Sequence, residues 1–109
     1  MAFNEELAGK IRKELKRHVG IAEKKMFGGV AFLMNGNMSV GVHRDELIVR
    51  ISPEATDQLL KEPGVRLFDL TGRPMKGWLL VGSAGIKEPK SLSKWIQRGV
   101  EYAASLPKK

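Results

Sequence analysis

The segment VAFLMNGNMSVGV, residues 30–42, constrains the fold more than any other part of the chain. Asn35-Gly36 stands between two apolar runs. A two-residue type I′ turn needs positive φ at both central positions, and asparagine and glycine adopt positive φ at little cost. The sequence therefore predicts a β-hairpin with strands at about 29–34 and 37–43.

A third strand, at about 46–51, follows the short turn HRDE. Because side chains alternate across a strand, Leu47, Val49 and Ile51 share one face, and Ile48 and Arg50 share the other. Three successive strands joined by short turns form an antiparallel meander. This pattern excludes the parallel sheet of a dinucleotide-binding fold.

The N-terminal segment has the periodicity of an amphipathic helix over residues 4–18, with Gly20 as its stop. The apolar stripe repeats every four residues and consists of Phe3, Leu7, Ile11 and Leu15. Five cations lie elsewhere on this helix: Lys10, Arg12, Lys13, Lys16 and Arg17. They are interpreted either as a solvated face that suits the negative C-terminal end of the helix dipole or as a contact surface.

The second half of the chain predicts two more helices and two more strands. A helix starts at Ser52-Pro53-Glu54 and runs to about Lys61, with Ser52 as its capping hydroxyl. Strands follow at 65–70 and 77–82, and Ser91 caps a last helix that Pro107 ends. The predicted order is α-β-β-β-α-β-β-α, an α+β fold with helices packed on a five-stranded antiparallel sheet.

Length and composition indicate one domain over residues 1–109. The formal net charge is +7, and the excess lies at the two ends: residues 1–25 carry +3, residues 86–109 carry +4, and residues 26–85 are neutral. Such an excess attracts nucleic acid or acidic surfaces and also keeps a protein soluble. No long apolar run and no cysteine occur. We therefore expect a cytoplasmic protein that does not enter a membrane.

The sequence contains no recognisable constellation for catalysis or cofactor binding. Its two histidines, His18 and His43, have no ligand spacing around them. Ser83 lacks the glycine two residues earlier that a nucleophile elbow requires. Gly28-Gly29 leads into a strand and belongs to no phosphate-binding loop. We therefore expect no cofactor, no metal and no enzymatic activity.

The residues most suited to contact a partner or a nucleic acid are basic, with one aromatic. Trp78 follows Lys76-Gly77 and is the only aromatic residue kept as a stacking candidate, although packing is the commoner role for tryptophan. The full set is Lys10, Lys13, Lys16, Arg17, Arg73, Lys76 and Trp78.

Several of these motifs together resemble the N-terminal domain of the TfoX/Sxy competence regulators. The resemblance rests on Met26-Phe27-Gly28-Gly29, on the hairpin Asn35-Gly36-Asn37-Met38, and on the strand from Asp45 to Arg50. Weaker matches follow at Phe68, Gly72-Arg73-Pro74-Met75, Trp78, Leu92, Trp95 and Ile96. It covers almost the whole chain. The sequence departs from the family pattern at Val30 and at Leu47-Ile48, where the family often has aromatic residues.

The resemblance implies an α+β domain with a regulatory, non-enzymatic role. Members of the family promote expression of DNA-uptake genes, together with the cyclic-AMP receptor protein, and bring no catalytic residues. Three hypotheses remain open: a module that regulates transcription through protein contacts, a direct and mainly electrostatic nucleic-acid-binding protein, and a small-molecule-binding domain or enzyme of unrecognised type. A homodimer is compatible with each hypothesis, since a small sheet can leave an edge strand unpaired.

Overall fold

The structure, a computed structural model, describes residues 4–26, 29–68 and 75–107. Over these ranges the chain is an α+β domain with helices packed on one six-stranded antiparallel sheet. The strands are β1 (Ile21–Met26), β2 (Gly29–Met34), β3 (Asn37–His43), β4 (Glu46–Arg50), β5 (Val65–Phe68) and β6 (Met75–Val81). The helices are α1 (Glu5–Leu15), α2 (Thr56–Leu59), α3 (Ser83–Ile86) and α4 (Pro89–Ser105), and a 3₁₀ turn at Pro53–Ala55 precedes α2.

The predicted hairpin is confirmed, and so is the third strand of the meander. Asn35 and Gly36 have φ angles of +53° and +84°, which are positive at both positions as a type I′ turn requires. A β-bulge between Phe32 and Leu33 interrupts the pairing of β2 with β3. At this bulge the buried Ser39 hydroxyl donates a hydrogen bond to the Phe32 carbonyl oxygen, at 2.9 Å. The bulge therefore leaves no unpaired hydroxyl in the core.

The five-stranded prediction is wrong because β1 was not recognised. β1 pairs antiparallel with β2 along its whole length, starting with Ile21 opposite Met34. Glu23, Lys24 and Lys25 are exposed on this edge strand, so its sequence lacks the apolar alternation of the inner strands. Charged residues on an edge strand discourage pairing with other chains. The predicted element order therefore needs an additional strand between the first helix and the hairpin.

The sheet order is β1-β2-β3-β4-β6-β5, so the last strand in sequence lies inside the sheet. β6 pairs with β4 on one side and with β5 on the other, both antiparallel. Both β5 and β6 were predicted, as strands at 65–70 and 77–82. The structure places β5 at Val65–Phe68 and starts β6 earlier, at Met75. Residues 69 and 70 lie outside the described ranges.

Several predicted helix limits are wrong. α1 ends at Leu15, earlier than the predicted residue 18, and Gly20 is not its cap. Gly20 instead has a φ of +89°, and its carbonyl oxygen accepts a hydrogen bond from the Asn35 amide at 3.0 Å. The left-handed glycine therefore turns the chain from α1 into β1 beside the hairpin turn.

The predicted helix from Ser52 to Lys61 is shorter than expected and is divided into a 3₁₀ turn and α2. Ser52 occupies the N-cap position, but its side chain makes no capping hydrogen bond. The prediction of Ser91 as the cap of the last helix is also wrong, because α4 begins at Pro89 with Glu88 as its N-cap. The short helix α3 was not predicted.

Both sheet faces contain buried side chains. α4 packs on β3 and β4, and α1 packs beside it. Leu47, Val49 and Ile51 face these helices, and Ile48 faces the other way, as the alternation predicted. The core under the helices consists of Leu7, Ala8, Ile11, Leu15, Val30, Phe32, Val40, Val42, Leu47, Val49, Ile51, Leu79, Val81, Leu92, Trp95, Ile96 and Val100. The smaller cluster on the other face consists of Ala31, Met38, Ile48, Phe68 and Leu80.

Candidate functional site

The two basic ends of the chain meet on one side of the sheet. α1 comes from the N-terminal segment with a net charge of +3, and α4 from the C-terminal segment with a net charge of +4. The two helices are in contact over the helix-covered face of the sheet. The fold thus joins two charge excesses that are separated in sequence by a neutral stretch of 60 residues, 26–85.

A groove with a volume of about 410 Å³ lies between these two terminal segments. We call it the α1–α4 groove; its lining residues are Lys10, Lys13, Glu14, Arg17, Ile86, Lys87, Pro89, Leu92, Ser93 and Ile96. Four of these side chains are cationic and one is acidic. A second cavity of about 440 Å³ shares Lys10, Ile86, Lys87 and Leu92 with it, so the depression continues along α1 towards its N-terminus.

Hydrogen bonds at its N-terminus hold α1 in position. The Asn4 side-chain oxygen accepts a hydrogen bond from the Leu7 amide at 3.0 Å, which caps the first turn. The Asn4 amide in turn donates to the Arg44 carbonyl oxygen at 2.7 Å, and its side-chain amide donates to Asp45 at 3.2 Å. Because Arg44 and Asp45 form the turn between β3 and β4, the start of α1 is fixed to the sheet.

An ion pair fixes the other side of α1. Two guanidinium nitrogens of Arg12 donate to the two Glu23 carboxylate oxygens, at 2.8 and 2.7 Å, and thereby join α1 to β1. The hydrogen bond from Arg12 holds the pKa of Glu23 below its usual range, and the same contact raises the pKa of Arg12. Arg12 therefore keeps its charge, which the Glu23 carboxylate compensates, and Arg12 does not line the α1–α4 groove.

The cations that line the α1–α4 groove are less well paired with acids than Arg12 is. Lys10 lies 3.6 Å from Glu6, and both side chains are largely exposed, so this pair is weak. Within the described residues, no ion pair joins Lys13, Arg17 or Lys87 to an acid. The rim therefore keeps most of its positive charge.

The structure divides the cations of the first helix into two groups. Lys10, Lys13 and Arg17 line the α1–α4 groove. Lys16 instead lies with Arg12 along a depression on the β1 side. The sequence placed all of them on one polar side, because helical periodicity alone could not show which flank of that side faces α4.

The remaining predicted contact residues do not join this groove. Arg73 lies outside the described residues, and Lys76 is part of β6, but its side chain is not described. Trp78 lies on the opposite face of the sheet, with its ring centroid 6.1 Å from that of Phe68. The Arg50 guanidinium lies 5.0 Å from the centroid of the Trp78 ring, a cation–π geometry. Trp78 is half-buried and has packing partners.

Five groove residues were not singled out in the sequence: Glu14, Ile86, Lys87, Pro89 and Ser93. Lys87 had been counted in the C-terminal charge excess, but nothing placed it beside α1. Ile86 is the last residue of α3, a helix of four residues that is too short for a periodic pattern. Two signals in the sequence pointed to this part of the chain: the charge excess of the C-terminal segment and the family matches at Leu92 and Ile96.

The family motif residues within the described ranges lie in the strands and the hairpin turn of the sheet; they are Met26, Gly29, Asn35 and Gly36. Met26 ends β1 and Gly29 begins β2, whereas Phe27 and Gly28 lie outside the described residues. A Cβ atom at Gly29 would collide with the Val42 carbonyl oxygen of β3. Glycine is therefore required there by the close approach of two strands. The hairpin pair forms the turn between β2 and β3.

Groups of side chains suited to metal binding are absent from the part of the chain that the structure describes. In the same ranges, no helix combines the length and the apolar character needed to cross a bilayer.

Together these features define a small α+β domain whose two basic ends form one groove. The chain belongs to the TfoX N-terminal domain family, whose model matches residues 13–103. The match includes only the last three residues of α1 but nearly all of α4. Of the residues that line the groove, Lys10 alone lies outside the matched range. No curated protein and no solved structure matches the chain.

Proposed function

We propose that this chain is a non-enzymatic regulatory module that acts on transcription through contacts with another protein. Membership of the TfoX N-terminal domain family supports a regulatory role. The observation that carries the proposal is the α1–α4 groove, where four cations, only one of them with an acidic partner in the described part of the chain, line the same groove as apolar side chains. Protein interfaces combine an apolar centre with a polar rim in this way.

The proposal is tested in bacterial cells with a reporter under the promoter of a DNA-uptake gene, in a host that has the cyclic-AMP receptor protein. Expression of the chain should raise reporter transcript levels above those of an empty vector. A charge-reversed variant with Lys10→Glu, Lys13→Glu and Arg17→Glu, three cations that line the groove, should lose most of this increase, because its partner surface has changed sign.

The matched control reverses three other exposed cations, with Lys24→Glu, Lys25→Glu and Lys61→Glu. These residues do not line the α1–α4 groove, and the change in net charge is the same. The control should keep the reporter response. Immunoblots check that all proteins accumulate equally. A wild-type chain that leaves transcript levels unchanged would contradict the proposed function.

Direct nucleic-acid binding is the second candidate function, and the unpaired cations of the groove favour it. Phosphate contacts release counterions, so such binding weakens steeply as salt rises. Fluorescence anisotropy with labelled duplex DNA at about 50 and 200 mM salt distinguishes the two functions. Sequence-dependent affinity that persists at the higher salt would replace the protein-contact proposal. Loss of all binding at that salt would indicate generic charge attraction.

A further inference from the structure

Building on the proposed function, we infer that the α1–α4 groove binds an acidic amphipathic helix of the partner protein. Both the apolar residues at the floor of the groove and the cations along its rim favour this one occupant. Binding of such a helix can be assigned by experiment either to the groove or to the rest of the domain surface.

The floor of the groove favours apolar side chains. Leu92 and Ile96 of α4 belong to the helix-side core, and Ile86 beside them is half-buried. The volume of about 410 Å³ lies within the range of cavities that enclose ligand groups. An amphipathic helix places apolar side chains at positions i, i+3, i+4 and i+7, so it can lay several of them along such a floor.

The rim of the groove favours acidic side chains. Lys10, Lys13 and Arg17 follow one another along α1 and its C-terminal turn, over roughly 10 Å at the helical rise per residue. Lys87 faces them from the α3–α4 connection. Cations spread along two edges complement acidic residues spread along a helix, which gives electrostatic complementarity at several points.

The same features argue against other occupants. A small molecule with one anionic head would need cations that converge on a point, whereas these cations are distributed along the groove. Nucleic acid presents phosphates to cations and gains nothing from the apolar residues Ile86, Leu92 and Ile96. A helix with acidic and apolar faces uses both parts of the lining.

The test uses the full chain and a fluorescein-labelled peptide of about 18 residues, roughly five helical turns. This peptide has leucine at helical spacing on one face and glutamate on the other. A scrambled peptide of the same composition, and therefore the same charge, lacks the apolar stripe. Fluorescence anisotropy at about 150 mM salt should show the amphipathic peptide binding roughly tenfold or more tightly than the scrambled peptide.

Two double variants localise the binding. Lys13→Gln with Arg17→Gln removes two rim charges and should weaken binding of the amphipathic peptide by about tenfold. Lys24→Gln with Lys61→Gln makes the same change in net charge outside the groove and should change affinity by less than about twofold. Equal weakening by both double variants would mean that overall charge alone attracts the peptide, and would overturn the inference.

A third variant tests the floor without changing charge. Ile86→Asn places a polar side chain among the apolar lining and should weaken the amphipathic peptide while leaving the scrambled peptide unaffected. Circular dichroism and thermal unfolding check that each variant is folded. If Ile86→Asn is not folded, the comparison of the rim variant with the control outside the groove decides. If the scrambled peptide binds as well as the amphipathic one, the apolar floor plays no part and the inference fails.

Nuclear magnetic resonance with the ¹⁵N-labelled chain gives the location directly. The amphipathic peptide should shift the backbone amides of Lys13, Ile86 and Ser93, and leave those of Glu23 and Lys24 in β1 unchanged. The inference would be overturned if the shifts were confined to β1. It would also be overturned if duplex DNA displaced the peptide and Lys13→Gln with Arg17→Gln weakened binding of that DNA.

The outcomes for the groove and for the proposed function can be told apart. If the peptide does not bind but the chain still raises reporter transcription, the groove inference fails and the proposed function stands. If the peptide binds at the groove but transcription does not respond, the groove is a peptide-binding site and the proposed function fails.

Discussion

Gly99 of α4 lies directly against Ser39 of β3. A Cβ atom at Gly99 would stand 2.5 Å from the Ser39 carbonyl oxygen and 2.7 Å from a Val40 side-chain carbon. The helix therefore sits closer to the strand than any residue with a side chain would allow. This contact sets the depth at which α4 packs, and thus where its groove-lining residues lie.

Gly99→Ala should destabilise the domain although alanine is the better helix former. The new methyl group would push α4 away from β3, at a cost of about 1–3 kcal/mol in the free energy of unfolding. Gly9→Ala in α1 is the matched control, because nothing lies within 4 Å of its Cβ position. That change should stabilise the domain by about 0.5–1 kcal/mol. Urea unfolding measures both, and a stabilised Gly99→Ala variant would disprove the close packing.

The ion pair between Arg12 and Glu23 should make stability depend on pH. Because the folded-state pKa of Glu23 is lowered, the pair contributes fully above the unfolded-state pKa, and this contribution is lost as pH falls through about 4 and below. Both side chains are more than a third exposed, so the contribution is below about 1 kcal/mol. Glu23→Gln should lower the unfolding midpoint at pH 7 and make little difference near pH 3.

Glu101→Gln is the control for that pH dependence. Glu101 is exposed on α4, and no ion pair joins it to a cation in the described part of the chain. Its substitution should leave the unfolding midpoint nearly unchanged at both pH values. An equal loss in the two variants would assign the effect to net charge instead of to the pair with Arg12.

Thr56→Val should cost more stability than Thr56→Ser. The buried Thr56 hydroxyl accepts a hydrogen bond from the Gly77 amide at 2.9 Å, and so connects α2 to β6. Valine keeps the shape but leaves that amide without its partner, which costs about 1–3 kcal/mol. Serine keeps the hydroxyl and loses only a methyl group, at about 1 kcal/mol. Denaturant unfolding of both variants gives the comparison, and a valine variant as stable as wild type would contradict this role for the hydroxyl.

Arg50→Met should destabilise the domain by about 1 kcal/mol, because the Arg50 guanidinium lies near two aromatic rings. It is 5.0 Å from the Trp78 ring centroid and 5.7 Å from that of Tyr102. Methionine retains the apolar stem and removes the cation. Arg50→Lys keeps a cation and should lose less. Thermal unfolding followed by tryptophan fluorescence measures both; equal losses would exclude a contribution from the charge.

The elements with strong local signals were the ones predictable from sequence. Asn35-Gly36 fixed the hairpin because its backbone requirement is met by few other residue pairs, and the alternation in β4 correctly assigned Leu47 and Ile48 to opposite faces. β1 was missed because its charged residues have no apolar alternation. Ser52 occupies the predicted N-cap position but makes no capping hydrogen bond, and Ser91 is not a cap because Pro89 starts α4 two residues earlier.

The candidate site was only partly accessible from sequence. The terminal charge excess identified Lys10, Lys13 and Arg17, but a distribution of charge along the chain contains no information on which helices become neighbours. The contribution of Lys87 depends on the packing of α3 and α4 beside α1, a tertiary arrangement between distant segments. Trp78, which composition offered as a stacking surface, is instead engaged with Phe68 and Arg50.

The position of β6 between β4 and β5 has a consequence for how the chain folds. The meander from β1 to β4 forms from strands that follow one another, whereas pairing of β6 with β4 joins Leu47 to Val81, 34 positions later. Closing that long loop costs more chain entropy than the short turns of the meander, so we expect it to be the slow step in assembling the sheet. Until it closes, β4 presents an open edge even if β5 and β6 have already paired with each other. The nascent chain is therefore most prone to aggregate in the interval before β6 arrives.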